Sequence, residues 1–399
     1  MQARSLDDLN SAGKDVLVRV DLNSPLDPTT GRLLDDRRIK LHVETVDALS
    51  DSAVTLLAHQ SRPGKHDFTT LERHAERLGR LLGRPVTYVD DVFGSHARDT
   101  VREATPGDVV LLENVRFYSE EYIETAPEDA ADTHLVRRLA PLFDAYVDDA
   151  FSAAHRSQPS LVGFPLRLPS YAGKLMEREL DVLGGLEDAP EPVVYSLGGA
   201  KVADALGVVE NVLEDGAADS VLASGVLGNL LLMADDVDVG PGTREFMEAE
   251  GHVELLDDAR DVLGSYDEIV LPSDVAVEVE GERVEVSVDE LPVDEQACDV
   301  GLETMVEYSG VLSNAGTAVV NGPPGVYEEP AFQRGTREVF RGAVEADMSV
   351  AGGGDTAAAV ETFDVHGFDH VSSGGGASTA VLSGESLPAV EALERSREM

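Results

Sequence analysis

Ala351-Gly352-Gly353-Gly354-Asp355-Thr356 and Ser373-Gly374-Gly375-Gly376-Ala377-Ser378 decide the reading of this chain. Each follows a short run, Met348 to Val350 or His370 to Ser372, and precedes small helix formers, Ala357 to Val360 or Thr379 to Leu382. Both therefore read as strand, glycine loop, helix start. Glycine lets a backbone approach a ligand closely, and the free N–H groups and positive dipole end of a helix favour an anion. One such loop is also an ordinary tight turn of an α/β sheet; two close together predict a polyphosphate held between neighbouring loops.

Working upstream, Ala318 to Val320 leads into Asn321-Gly322-Pro323-Pro324-Gly325-Val326-Tyr327-Glu328, a rigid loop offering an amide and a carboxylate. Val277 to Val288 alternates apolar and charged residues around Gly281, as a β-hairpin does. Asp219 to Ala223 is a strand ending at Ser224-Gly225-Val226-Leu227, and Val193 to Ser196 is a strand ending at Leu197-Gly198-Gly199-Ala200-Lys201, with a helix following to Leu213. The lysines are Lys14, Lys40, Lys65, Lys174 and Lys201. A chain that avoids lysine but keeps Lys201 in a glycine loop at a helix start needs a point charge there. Asp188 to Pro192 is an acidic, proline-bearing linker, and the preceding helix is expected from Tyr171 to Leu180.

The N-terminal half repeats one device. Apolar runs at Val16 to Val20, Val54 to Ala58, Val109 to Leu112 and Ala145 to Val147 each end in a polar loop. Those loops carry Asp21 and Asn23, His59 and Arg62, Arg116, and Arg156. Arg38 lies at the head of a further helical pattern, in Asp35-Asp36-Arg37-Arg38-Ile39-Lys40. Strands of a βαβ series end on one side of the sheet, so Arg38, Arg62, Arg116 and Arg156 are expected to converge on one edge. Arginine's planar fork matches carboxylate and phosphate oxygens. The implied ligand is a small anion with more than one acidic group.

Composition bounds the rest. The 399 residues are enough for two ordinary domains. There are 31 basic and 76 acidic side chains, a formal net charge of −45. That surface argues against nucleic acid; it looks instead like an extreme halophile's proteome, in which salt screens self-repulsion. Cys298 is the single cysteine, so no internal disulfide forms, and it reads as a small buried hydrophobe. No run long and apolar enough to span a membrane and no signal-peptide core occur, which predicts a cytoplasmic chain without membrane partners.

In order and approximate spacing, Asp21 to Pro25, His59 to Pro63, Leu112 to Phe117, Asp149 to Arg156, Gly198 to Val202, Asn321 to Glu328, Gly352 to Thr356 and Gly374 to Ser378 resemble the motif set of the phosphoglycerate kinases. The resemblance covers nearly the whole chain. It implies two doubly wound parallel-sheet, Rossmann-like α/β domains joined by a hinge helix, with a C-terminal tail that returns to the N-terminal domain. The expected divisions are 1–168 for the 3-phosphoglycerate-binding domain, 169–192 for the hinge, 193–380 for the Mg-nucleotide-binding domain and 381–399 for the tail.

The resemblance also assigns residues. Asp21, Asn23, Arg38, His59, Arg62, Arg116 and Arg156 match a 3-phosphoglycerate site; Arg38 is chosen over Arg37 because it directly precedes Ile39. Gly198, Lys201, Asn321, Glu328, Gly352, Gly353, Gly354, Asp355 and Thr356 match nucleotide contacts, with Asp355 serving the Mg2+ of Mg-ATP or Mg-ADP. Arg38, Lys201 and the helix start at Gly374, Gly375 and Gly376 match the groups facing the phosphoryl in flight. The chain is expected to act as a monomer on 3-phosphoglycerate or 1,3-bisphosphoglycerate and ATP or ADP. Departures from the family pattern are Ser61 in place of glycine, Gln158 in place of histidine, Ala205 in place of a second lysine, and Ser224 to Leu227 near the adenine. Two rivals are weighed. Gly352 to Ala357 formally fits the G-x-G-x-x-A of a dinucleotide oxidoreductase, though not after a first strand, and a non-catalytic two-lobed anion binder would not need Lys201 and Asp355. A P-loop kinase is excluded, since Gly13-Lys14, Gly64-Lys65 and Gly173-Lys174 are never followed by serine or threonine.

Overall fold

The computed structural model describes residues 3–398. Of these, residues up to Asp181 and from Ser386 onward form one compact unit, and Val182–Glu385 form a second. The division falls inside the helix Lys174–Gly184.

In the first unit, six strands, β1 (Asp15–Arg19), β2 (Ala53–Leu57), β3 (Thr87–Val89), β4 (Val109–Leu112), β5 (Ala145–Asp148) and β6 (Ser170–Ala172), form a sheet ordered β3-β4-β2-β1-β5-β6. Every pairing is parallel. The central strands read as continuous β-branched and aliphatic runs because both faces are covered. Val16, Val18, Val54, Leu56, Val109, Leu111 and Val147 pack with Ile39, Val46, Ala75 and Leu78 of the helices in one core. The helix Glu72–Leu82 buries His74, Ala75 and Leu78 on one face and stops at Gly83, whose φ of 66° is the left-handed conformation of a helix C-terminus.

The second unit holds β7 (Val193–Leu197), β8 (Ser220–Ala223), β9 (Ile269–Val270), β10 (Asp274–Val279), β11 (Glu282–Ser287), β12 (Asp299–Val300), β13 (Thr317–Asn321), β14 (Met348–Gly352) and β15 (His370–Val371). Six form a parallel sheet ordered β15-β14-β13-β7-β8-β9, and three form an antiparallel sheet ordered β11-β10-β12. The expected hairpin is present as β10 and β11. Its two-residue turn places Glu280 and Gly281 at φ of 53° and 83°, the pair of positive values that suits a tight hairpin.

Both parallel sheets are wound outward in two directions, with the switch between β1 and β5 in one and between β7 and β13 in the other. Crevices form outside the carboxyl ends of strands at such points. The tail returns as expected: in Pro388–Arg395, Ala389, Val390, Ala392 and Leu393 are buried, and Ala389 N–H donates to the Ala154 carbonyl at 3.1 Å. One element differs from its expectation. Tyr171 and Ala172 belong to β6 rather than to a helix, which begins at Lys174. Ala172 N–H donates to the Arg4 carbonyl at 2.8 Å and Ser170 N–H to Ser396 Oγ at 3.0 Å, so the strand is completed by both chain ends.

Candidate active site

In the first unit, β1 delivers Asp21 and Asn23, β2 delivers His59 and Arg62, β4 delivers Arg116, and β5 delivers Ser152 and Arg156. Arg38 differs from the strand-end expectation. It sits in the first turn of the helix Arg37–Leu41 and reaches Asp21 from there. Ser152 Oγ donates to the same Asp21 carboxylate oxygen, and Arg38 Nη1 donates to Ser152 Oγ at 3.2 Å. Asn23 N–H donates to Asp21 Oδ1 at 3.0 Å. Burial alone would raise the Asp21 carboxyl; the positive charge of Arg38, with the hydrogen bonds from Ser152 and Asn23, holds it instead well below the usual carboxylate range. Asp21 thus stays ionised and orients Arg38, whose side chain is 40% exposed.

Asn23 Oδ1 accepts from Ser61 N–H at 2.8 Å, and Arg116 Nη1 donates to the Ser61 carbonyl at 2.7 Å. Ser61 itself has a φ of 55°, the left-handed region where glycine costs least. This backbone explains the family's glycine and shows that serine tolerates it here, where both its peptide N–H and its C=O are bonded. Arg156 Nε donates to His155 Nε2 at 3.2 Å. The Arg62 side chain is exposed and makes no hydrogen bond or ion pair to the described residues; only its carbonyl is engaged, accepting from Lys65 N–H at 3.2 Å. Arg116 is lowered to about 10 by burial and by the guanidinium charges of Arg156 and Arg19, and burial and Arg19 also lower Arg156. Cations held this close without a carboxylate for each leave a positive field suited to a multiply charged anion.

In the second unit, two adjoining clefts open at the carboxyl ends of β7, β13 and β14. The smaller is lined by Gly198, Lys201, Asn321, Gly353, Gly354, Asp355, Thr356 and Gly375. The loops meet at contact distance: a Cβ at Gly375 would lie 3.4 Å from Gly354 N, so the helices Gly354–Thr362 and Gly375–Leu382 begin side by side. Gly353 has a φ of 89°, and a Cβ there would lie 2.5 Å from Asn321 Oδ1. Gly198 is pinned likewise, its Cβ position lying 2.7 Å from the Pro323 carbonyl oxygen. Thr356 Oγ1 accepts from Gly322 N–H at 2.8 Å and so ties one loop to the other. Gly374 is buried at the N-terminus of the second helix, and Gly352 ends β14. Lys201 is exposed, and among the described lining residues it is the only cation. Ala205 lines the same cleft, so the family's second lysine position is filled by a methyl group.

The larger cleft, about 230 Å3, has mostly apolar walls from Phe246, Pro272, Val275, Val300, Val326 and Tyr327, with Glu328 and Asp355 at its margin. It can take a flat apolar ring, and Asp355 borders both clefts. Gly225, with a φ of 58°, comes so near that a Cβ would lie 2.9 Å from Gly199 N. Cys298 corrects an expectation: it is half-buried and lines this cleft, its thiol pushed up by burial and by Asp299, Glu278 and Glu329.

A family model described as phosphoglycerate kinase matches residues 6–385. The chain belongs to the phosphoglycerate kinase family. It is 52% identical over 395 residues to the phosphoglycerate kinase of Natronomonas pharaonis, covering 98% of this chain and 99% of that one. It is 52% identical over 398 residues to that of Halobacterium salinarum, covering 98% and 100%. A crystal structure of phosphoglycerate kinase from Pyrococcus horikoshii matches with a TM-score of 0.92 at 39% identity, covering 99% of each chain. The activity is phosphoglycerate kinase activity, a phosphoryl transfer of glycolysis, and the acidic composition agrees with the halophilic archaea among these relatives. Among the described residues no helix is long and apolar enough to cross a membrane.

The family uses a Mg-nucleotide, and the residues fit one in a limited sense. No group of three or more His, Cys, Asp or Glu among the described residues could hold a metal alone. The carboxylates lining the smaller cleft are the exposed Asp204 and Asp355, the latter beside two helix N-termini, a sparse set that suits an ion arriving already bound to phosphates. Residues not singled out from the sequence include Arg19, hidden inside the apolar β1, and Phe246, Pro272 and Asn229, which line the larger cleft from separate segments. A charged residue within the apolar run Val16 to Val20 was a usable signal for Arg19; the cleft walls carried none.

Proposed function

We propose that 3-phosphoglycerate or 1,3-bisphosphoglycerate binds the first unit through Asn23, Arg38, His59, Arg62, Arg116 and Arg156, with Asp21 orienting Arg38. ATP or ADP binds the second, with its phosphates at Lys201, Gly198, Gly352 to Gly354, Thr356 and Gly374 to Gly376, and with Asn321 and Glu328 bracketing the ribose and base. Asp355 would hold the Mg2+ that accompanies the nucleotide, where the ion offsets phosphate charge. The observation that carries this reading is the pairing of one cation-crowded crevice with one crevice built from two abutting glycine helix starts.

The acceptor carboxylate of 3-phosphoglycerate is ionised at neutral pH, so no side chain need take its proton. What remains is alignment and stabilisation of the charge spread over the phosphoryl oxygens. Arg38, Lys201 and the Gly374 and Gly375 amides supply that stabilisation from two different units. Each unit holds half of the requirement, so transfer needs the two halves brought together about the 169–192 region, with water expelled. The chain acts as a cytoplasmic monomer. Calorimetry tests the division of labour: Lys201→Ala is expected to weaken ADP binding and leave 3-phosphoglycerate binding unchanged, and loss of both affinities together would contradict it.

A further inference from the structure

We infer that Arg19 is a positioning residue of the anion site: it fixes His59 as the neutral tautomer protonated on Nε2, so that this N–H is the donor offered to the ligand. The inference rests on the proposed reading of the first unit as the 3-phosphoglycerate site. Arg19 is 2% exposed at the end of β1. Its Nη2 lies 3.1 Å from His59 Nδ1. A guanidinium only donates, so Nδ1 must carry the lone pair and the ring proton must sit on Nε2. The nearest carboxylate oxygen, Asp21 Oδ1, is 3.8 Å from Nδ1, too far to take a proton from it in a hydrogen bond. Nε2 has no partner among the described residues and is not sealed from solvent.

Arg19 is itself held rigidly. Its Nε donates to Ser160 Oγ at 2.9 Å, and its Nη1 donates to the Val20 carbonyl. Ser160 is fixed by Glu121, which accepts from both its N–H and its hydroxyl, while its carbonyl accepts from Tyr146 at 2.9 Å. The groups facing His59 are Asp21, Arg19, Arg116 and Arg156. Burial, and then the three guanidinium charges, outweigh the pull of Asp21 and keep the imidazole neutral. A neutral Nε2–H gives the anion a hydrogen bond without adding another positive charge to a crowded cluster. The donor does not come and go across the range where an ordinary histidine titrates.

The test is a long-range 15N–1H spectrum of histidine-labelled full-length protein, with His59 assigned by its loss in His59→Gln. The expected result is the Nε2-protonated neutral pattern for His59 from pH about 5.5 to 8. An Nδ1-protonated ring, or an imidazolium at the lower pH, overturns the inference with no mutation of Arg19 required. In folded Arg19→Met, His59 should lose its single tautomer and begin to titrate. Its KM for 3-phosphoglycerate should rise about tenfold to a hundredfold, the loss of one hydrogen bond to a charged group, with kcat changing less. Arg19→Lys, which keeps the charge and a donor, should restore the tautomer in part. An unchanged His59 spectrum in Arg19→Met would overturn the role of Arg19. A correct tautomer whose resonances ignore added 3-phosphoglycerate would overturn the site assignment instead, so the two failures are distinguishable.

Discussion

Asp148, fully buried at the end of β5, accepts from Ala150 N–H at 2.9 Å and from the Tyr146 hydroxyl at 3.3 Å. Burial pushes its carboxyl up to about 6, against the hydrogen bond from Ala150 and the charge of Arg19. The folded state therefore binds more protons than the unfolded chain between roughly pH 4 and 6, and stability from this group falls as pH rises through that window. Asp148→Asn keeps an acceptor for Ala150 and removes the buried charge. It is expected to stabilise the protein by about 2–3 kcal/mol at pH 7.5 and by little at pH 4, measured by urea unfolding at both values. Arg38 presents the opposite case, a cation whose partner Asp21 is buried and ionised. Arg38→Ala is expected to lower kcat by about 100- to 1,000-fold if, as proposed, the guanidinium acts where charge develops. Arg38→Lys should recover only part of this, since an ammonium cannot reproduce the fork.

The abutting glycine loops separate conformational from functional demands. Gly375→Ala would add a methyl group whose nearest neighbour is Gly354 N at 3.4 Å. Stability should change by less than about 1 kcal/mol, while nucleotide affinity falls because the methyl group stands between the two helix starts. Gly353→Ala meets Asn321 Oδ1 at 2.5 Å from a φ of 89°, and is expected to cost about 1–3 kcal/mol of stability as well as affinity. Thermal unfolding and nucleotide titration of both variants distinguish the two. At this scale the strands β1, β2, β4, β5, β7, β8, β13 and β14 were legible, because parallel strands covered on both faces are continuous apolar runs. The three-residue β6 was not, since its hydrogen-bond partners lie at both chain ends. The glycine loops and basic loops were legible because strand ends converge by topology. The apolar cleft was not: Phe246, Pro272 and Val326 line it from segments that no local periodicity connects.

For the whole molecule, a formal charge of −45 spread over 399 residues makes the compact state self-repelling. In 1 M salt the screening length is about 3 Å, against about 10 Å at 0.1 M. The melting temperature should therefore climb as KCl is raised toward multimolar levels, and equal osmolarities of sucrose should not reproduce the climb. The proposed reading divides the transfer groups between the two units, so mutations in either should cost turnover while each affects chiefly one ligand's binding. The most direct test measures ATP consumption in multimolar KCl with Mg2+, with and without 3-phosphoglycerate, coupled to reduction of the acyl phosphate, for the natural chain and for Arg38→Ala and Lys201→Ala. Turnover strictly dependent on 3-phosphoglycerate, with kcat reduced at least about 100-fold in each variant under saturating substrates, is the predicted result. Near-normal turnover by either variant would contradict the assignment of those two cations to the phosphoryl in flight.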